Sequence, residues 1–129
     1  MLEEYIKELE EDLKINELNL KDYQLRLPAL KHKWAGRLIR HKMEIARETK
    51  SLEQLKRKLF DEIQRQAAVK LTAPTIQGAV DTRQEVLAKK QEIDEKKLIV
   101  ELLEKTEKTL SSTTFDIKNL VEIIKLETM

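Results

Sequence analysis

Residues 31–63 read KHKWAGRLIRHKMEIARETKSLEQLKRKLFDEI, and the pattern of this segment gives the clearest indication of the fold class. On a helical wheel, at 100° per residue, its large apolar side chains fall within one arc of about 100°. Five of its cations fall within a neighbouring arc of about 80°, which contains one acid, Glu44. The pattern predicts a long amphipathic helix with a packing seam beside a basic stripe. The seam consists of Trp34, Leu38, Ile45, Leu52, Leu55, Leu59 and Ile63, and the stripe of Lys33, Arg37, Arg40, Arg47 and Lys58.

The composition of the whole chain also favours helices. Of its 129 residues, 38% are charged, 40% are hydrophobic, 4% are aromatic and only two are glycine. This profile is typical of long helices or coiled coils, whereas strands prefer β-branched and aromatic residues. We therefore predict an all-α fold. Because so charged a chain has little apolar surface to bury alone, we also expect a homo-oligomer.

The N-terminal part of the chain predicts shorter elements before the long helix. Residues 2–14 carry acidic and apolar positions at helical spacing, and Asn16 and Asn19 suit a turn or a cap. A second short helix or turn is predicted at residues 19–26. Pro28 is predicted to lie in the first turn of the long helix, which should run to about residue 68.

The C-terminal part predicts two helices. Pro74 and Gly78 indicate a break over residues 71–78, and a heptad-like pattern predicts a helix over residues 80–110. Four Ser and Thr residues at 111–114 predict a second break before a short final helix. We therefore divide the chain into residues 1–79, an acidic helix plus the basic helix, and residues 80–129, the C-terminal pair.

An apolar stripe makes the final helix a candidate oligomerisation surface. Packing back on the chain is one interpretation, and burial between subunits, favoured by the thin core, is the other. The predicted oligomerisation residues are Phe115, Ile117, Leu120, Val121 and Ile124.

Charge is distributed unevenly. The net charge is +1, but residues 31–70 hold 12 Lys and Arg against 5 Asp and Glu, while residues 1–30 hold 4 against 8. A linear cationic stripe can follow a phosphate backbone, although it reads no base sequence. A plain solvated helix face explains the same pattern, and both interpretations stay open on charge alone. In the dense cluster Lys56, Arg57 and Lys58, the outer two positions lie about 200° apart on the wheel and so face different ways.

Motifs for catalysis are absent from the sequence. His32 and His41 have no metalloprotease spacing, two glycines cannot build a phosphate-cradling loop, and there is no cysteine. We therefore expect no enzyme active site, no cofactor and no metal. Trp34 lies within the apolar arc, so a core or interface role is favoured over stacking on a base. The acidic N-terminus is not a signal peptide, and we expect no membrane association.

Three short motifs occur in order along the chain: Leu30-x-x-Lys33-Trp34, then Leu55-Lys56-Arg57-Lys58-Leu59, then Phe115-x-Ile117-Lys118-Asn119. With these motifs and its order of elements, the chain resembles the UvsY-like recombination mediator family of T-even-type bacteriophages. The central motif is similar to the Leu-Lys-x-Arg-Leu DNA-binding motif of that family.

The resemblance implies a function. Such proteins bind single-stranded DNA, form ring-like homo-oligomers and help a phage recombinase to replace the phage single-stranded-DNA-binding protein on the strand. By motif match, Lys56 and Lys58 would take the two DNA-contacting positions, and the C-terminal helices would form the oligomer. The implied location is the cytoplasm of the infected bacterial host.

The chain also departs from the family pattern. The family follows its motif with paired tyrosines and a glycine, whereas Phe60-Asp61-Glu62-Ile63 stand here. The family's last helix often carries Trp or Phe where this chain has Ile124 or Leu126. Ring geometry is expected to differ accordingly.

The alternative function comes from a different class. A helical scaffolding or coiled-coil protein would use the same basic face to bind an acidic protein partner. That partner could be the acidic N-terminal helix of a neighbouring copy, which requires no DNA.

Overall fold

The computed structural model describes residues 1–128, and every regular element in that range is helical. In chain order the elements are α1 (Leu2–Asp12), α2 (Leu20–Gln66), α3 (Ala73–Asp81) and α4 (Gln84–Thr128). The all-α prediction is confirmed. None of these helices is long and apolar enough to cross a membrane.

The turn between α1 and α2 is built from two asparagine side chains. Asn16 Oδ1 accepts hydrogen bonds from the backbone N–H groups of Leu18 and Asn19, and Asn19 Oδ1 accepts one from the backbone of Asn16. The side-chain N–H of Asn19 donates to the carbonyl oxygen of Lys14. These bonds satisfy backbone groups of the turn itself, as asparagine side chains commonly do. The predicted turn at Asn16 and Asn19 is confirmed.

Helix α2 is longer at its N-terminal end than predicted. It begins at Leu20, so the separate element at residues 19–26 does not exist and Pro28 lies inside the helix. Proline removes one backbone hydrogen bond there. The neighbouring Leu27 and Leu30 are both buried, and their burial favours continuation of the helix through the exposed proline.

Helix α3 was not predicted. The long helix does end near the expected position, at Gln66, but the helix break covers residues 67–72 only. Thr72 then caps a new helix by accepting a hydrogen bond from the backbone N–H of Thr75, and Pro74 occupies its first turn. Gly78, expected in the break, lies within this helix.

Helix α4 is continuous where a break was predicted. The hydroxyl groups of residues 111–114 do not cap a new helix, because several of them bond to carbonyls of the preceding turn. Ser111 donates to the carbonyl oxygen of Glu107, and Thr113 to that of Thr109. The two helices predicted within residues 80–129 are therefore one continuous helix, α4.

Two compact units make up the structure, each with its own core. Unit 1 comprises residues 1–40 and 99–128, and unit 2 comprises residues 41–98. Helices α2 and α4 contribute to both units. The core of unit 1 contains Leu9, Tyr23, Leu27, Leu30, Trp34, Leu38, Ile99, Leu103, Leu110 and Ile117, and that of unit 2 contains Leu59, Ile76, Val80 and Val86.

The predicted seam of α2 faces these cores. Trp34 and Leu38 are buried in unit 1, Leu59 is buried in unit 2, and no seam residue is exposed. Trp34 is therefore a core residue, with 1% of its surface accessible. The units do not coincide with the predicted functional segments 1–79 and 80–129, whose roles in DNA binding and oligomerisation stay predictions.

Candidate nucleic-acid interface

The first part of the basic stripe lies against the acidic helix α1, within unit 1. The Glu8 carboxylate accepts hydrogen bonds from Lys33 Nζ, at 3.2 Å, and from both terminal nitrogens of Arg37. Lys33 also donates to Asp12. About a third of the Lys33 side chain and a quarter of the Arg37 side chain are exposed. These two stripe residues already have acidic partners in their own chain.

Aromatic rings reinforce the contact between α1 and α2. The rings of Tyr5 and Trp34 meet edge to face, with centroids 5.5 Å apart. The Arg37 guanidinium lies 5.0 Å from the Tyr5 centroid and 4.6 Å from the Trp34 centroid, within cation–π range. Arg37 is thus held by a carboxylate and two rings, an arrangement that leaves its guanidinium poorly placed to meet a phosphate.

The ionisation of Glu8 and Arg37 reflects this pairing. Hydrogen bonds from Arg37, together with Lys33, hold the pKa of Glu8 below its ordinary value of 4.5, against a smaller opposing effect of burial. The hydrogen bond to Glu8 raises the pKa of Arg37. Both groups are therefore charged in the folded protein near neutral pH, and each favours the charged form of the other.

Arg40 is the remaining stripe residue of unit 1, and it differs from the first two. Its side chain is exposed, and its Nε donates to the backbone carbonyl of Gly36, over 3.4 Å. Its charge is therefore directed towards solvent.

In unit 2 two acids of α2, Glu44 and Glu48, are paired with lysines of α4. Glu44, the acid inside the stripe, accepts a hydrogen bond from Lys96 at 2.9 Å, and Glu48 is paired with Lys89 and Lys96. The hydrogen bond from Lys96 lowers the pKa of Glu44, and the hydrogen bond from Lys89 lowers that of Glu48. Both carboxylates are thus bound by lysines of α4.

The side of α2 opposite its packing seam is an exposed basic face. We define it by four exposed cations, Arg47, Lys50, Arg57 and Lys58, which lie within an arc of about 100° on the wheel. The exposed Arg65 and Asp61 fall in the same arc. Three of the four defining cations were predicted as DNA-binding residues. Lys50 was not predicted because it falls outside the 80° arc of the stripe. The structure, in which the packing seam of α2 faces the cores, shows that Lys50 and Arg47 share the exposed surface.

Lys56 is separate from the exposed basic face. Its side chain, 28% exposed, forms an ion pair with Asp81 of α3, with 3.5 Å between Nζ and Oδ1. The expectation that Lys56 and Lys58 face different ways is confirmed. Because α3 was not predicted, the sequence pattern could not reveal this partner.

The predicted oligomerisation residues divide into two sets. Ile117 is buried in the core of unit 1, and Val121 packs against that core, so both have apolar neighbours within the chain. Phe115 is 70% exposed, and Leu120 and Ile124 are partly buried. Of the five, Phe115 offers the largest free apolar surface; the oligomerisation role of the set stays a prediction.

No cluster of three or more His, Asp or Glu side chains that could hold a metal ion occurs among residues 1–128.

Comparison with known proteins gives a match at the level of structure. No protein-family model and no curated protein sequence matches the chain. The crystal structure of the recombination mediator protein UvsY of bacteriophage T4 superposes with a TM-score of 0.85, covering 98% of both chains. The chain has the UvsY fold. At 18% sequence identity the match shows the fold of UvsY, and it confirms the predicted resemblance at that level.

Proposed function

We propose that this chain is a single-stranded-DNA-binding recombination mediator. The observation that carries the proposal is the UvsY fold, which covers 98% of the chain and of the T4 recombination mediator protein. The exposed basic face of Arg47, Lys50, Arg57 and Lys58 supports it independently, because it provides a row of solvent-facing cations on one side of α2.

The proposed mechanism follows from the chemistry of that face. Each cation that neutralises a phosphate releases counterions, so binding should weaken steeply as salt rises and should show little sequence preference. In a homo-oligomer several such faces would contact one strand, and their effective concentration would strengthen weak individual contacts. Held in this way, the strand would be presented to a phage recombinase while the phage single-stranded-DNA-binding protein leaves it, in the cytoplasm of the infected host.

The proposed DNA contacts differ in part from the predicted set. The proposed set retains three predicted residues of unit 2, Arg47, Arg57 and Lys58, and adds Lys50. It also retains Arg40 of unit 1 as a separate exposed cation. Lys33 and Arg37 are assigned to the contact with α1, and Lys56 to Asp81. These three are expected to affect DNA binding less than the exposed cations do.

The test is binding of a labelled single-stranded oligonucleotide across a salt series. Each exposed cation changed to Gln should lower the slope of log affinity against log salt by roughly 0.7 for each phosphate that it no longer neutralises. The double variant Arg57→Gln/Lys58→Gln should therefore bind more weakly and with a flatter slope than Lys97→Gln/Lys108→Gln, which removes two exposed charges of α4 and serves as the matched control. Affinity that is independent of salt, or unchanged in the double variant, would exclude this face as the DNA site.

A scaffolding role remains the second candidate, and one observation favours it. The basic helix α2 already binds an acidic helix, α1, through Glu8 and Asp12. This contact lies within one chain, whereas the alternative function also allowed the acidic helix to come from a neighbouring copy. A homo-oligomer that ignores single-stranded DNA at low salt but captures an acidic helical peptide would support the scaffold over the mediator.

A further inference from the structure

A surface hollow lies beside the exposed basic face, between α2 and α3 within unit 2. Its cavity volume is about 350 Å³. Its walls come from two neighbouring turns of α2 and from one residue of α3, and they comprise Glu53, Lys56, Arg57, Phe60, Asp61 and Gln77. Contacts between phosphates and the exposed basic face do not explain this arrangement.

The charges of the hollow balance. Two cations, Lys56 and Arg57, are matched by two carboxylates, Glu53 and Asp61. A phosphate placed inside would meet both carboxylates, so the hollow is poorly suited to an anion. It suits a flat, neutral group that carries hydrogen-bond donors and acceptors on its edge, since carboxylates accept from amino groups and cations donate to carbonyl oxygens.

Phe60 provides the apolar surface for such a group. The side chain is partly buried, because it packs against the core of Leu59, Ile76, Val80 and Val86, and it also lines the hollow. A ring supported in this way loses little conformational freedom when a second flat ring stacks on it. Aromatic side chains next to a cationic groove are the usual partners of bases in single strands.

Asp81 orients two further walls of the hollow. Its Oδ1 accepts a hydrogen bond from Gln77 Nε2 at 3.2 Å and lies 3.5 Å from Lys56 Nζ. Because a carboxylate only accepts, the amide of Gln77 turns its N–H group towards Asp81 and keeps its carbonyl oxygen free for another donor. Gln77 therefore offers an acceptor on the α3 side of the hollow.

We propose that this hollow receives one unstacked base of the bound single strand, packed against Phe60. The proposal rests on the proposed function and names a second kind of contact within it. Arg57, which lines the hollow and is exposed, and its neighbour Lys58 hold the adjoining phosphates outside. The exposed basic face thus binds the backbone, and the hollow binds a base.

The experiment separates base contacts from phosphate contacts. Wild type, Phe60→Leu and Arg57→Gln are titrated with an oligo-dT strand and with an abasic deoxyribose-phosphate strand of the same length. Leucine keeps the apolar packing of Phe60 on the core but removes the stacking ring. Phe60→Leu should bind oligo-dT about five-fold or more weakly, with an unchanged salt slope, and should bind the abasic strand as wild type does. Arg57→Gln should weaken binding of both strands.

A second variant guards against loss of folding. Phe60→Trp should retain affinity for oligo-dT, and its new indole fluorescence should be quenched by oligo-dT but not by the abasic strand. Equal weakening of both strands by Phe60→Leu, or no weakening of oligo-dT binding, would overturn the base site. If oligo-dT binding is not weakened by Phe60→Leu but is weakened by Arg57→Gln, the proposed function stands without the base site. If wild type binds neither strand at low salt, the proposed function itself is overturned.

Discussion

The indole Nε1 of Trp34 donates a hydrogen bond to the Asp12 carboxylate over 2.9 Å, between residues 22 positions apart in sequence. The indole is buried, and only 14% of the Asp12 side chain is exposed. The bond thus joins α1 to α2 inside unit 1 and gives a buried N–H group the acceptor that it needs.

Removing that donor should destabilise the fold. Trp34→Phe keeps an aromatic ring but leaves Asp12 without the indole, and a hydrogen bond to a charged group contributes about 1.5–3 kcal/mol. We expect the free energy of unfolding to fall by about 2 kcal/mol in urea titrations. In an Asp12→Ala background the same substitution should cost less; an equal cost in both backgrounds would show that the loss comes from ring packing alone.

Stability should depend on Glu8 in acid. The folded-state pKa of Glu8 lies below 4.5, chiefly because Arg37 donates to it, so its stabilising contribution is complete above the unfolded-state pKa and is lost as pH falls through the folded-state pKa. At pH 7, wild type should have a higher urea midpoint than Glu8→Gln, and the gap should narrow by pH 3. Glu10→Gln, at an exposed position of the same helix, is the control. A gap that stays constant over this range would contradict the role of Glu8.

Substitutions at two residues of the basic stripe should have different effects, one on stability and the other on DNA binding. Lys33 bonds to Glu8 and Asp12, whereas Arg47 is exposed. Lys33→Gln should lower the urea midpoint and leave the salt slope of DNA binding nearly unchanged. Arg47→Gln should leave the midpoint unchanged and lower the slope by about 0.7. Urea unfolding and DNA-binding titrations on both variants test this. A lowered salt slope with an unchanged urea midpoint in Lys33→Gln would mean that Lys33 leaves its α1 carboxylates and contacts DNA.

Proline at position 112 should test the continuity of α4. Within a helix, proline removes a backbone hydrogen bond and clashes with the carbonyl four residues earlier, which costs roughly 3 kcal/mol or more. Ser112→Pro should therefore lower the free energy of unfolding by at least that amount, while the control Ser112→Ala should be neutral or slightly stabilising. Toleration of the proline would instead indicate the helix break predicted at residues 111–114.

Gly78→Ala should stabilise the protein. Gly78 lies inside α3 with a negative φ, and an added Cβ would meet no atom within 4 Å. Alanine restricts the unfolded chain without straining the folded one, so we expect a gain of about 0.4–1 kcal/mol in urea titrations. A loss of stability would mean that a close approach to the α3 backbone forms in an oligomer.

The helical class and the packing face of α2 could be predicted because both depend on local periodicity. The apolar arc from Trp34 to Ile63 needs only the 100° step of a helix, and its members do face the cores. Burial of Trp34 followed from its place in that arc. Periodicity along one helix says nothing about which distant side chain lies opposite.

The errors in the prediction came from residues whose effect depends on tertiary context. Pro28 suggested a helix boundary, yet the buried leucines on either side of it favour continuation of α2. Ser112 suggested another boundary, yet its hydroxyl and that of Ser111 donate to carbonyl oxygens of the preceding turn, and α4 continues. The pairing of Lys33 and Arg37 with Glu8 joins positions 25 and 29 apart in sequence. The alternative function, in which the basic face binds an acidic helix, anticipated this kind of pairing. No local sequence pattern distinguishes an acidic partner in the same chain from one in a neighbouring copy.

The ion pairs of unit 2 also determine how far α4 can slide along α2. Lys96 has only 19% of its side chain exposed and contacts both Glu44 and Glu48, while Lys89 contacts Glu48. Heptad-like apolar patterns tolerate slippage by whole turns, because one leucine replaces another. A slip of one turn, about 5.4 Å, would leave Lys96 with at most one of the two α2 carboxylates that it contacts and would take Lys89 away from Glu48. Glu44 and Glu48 therefore favour one register of α4 on α2 within unit 2, where the apolar pattern alone would allow several.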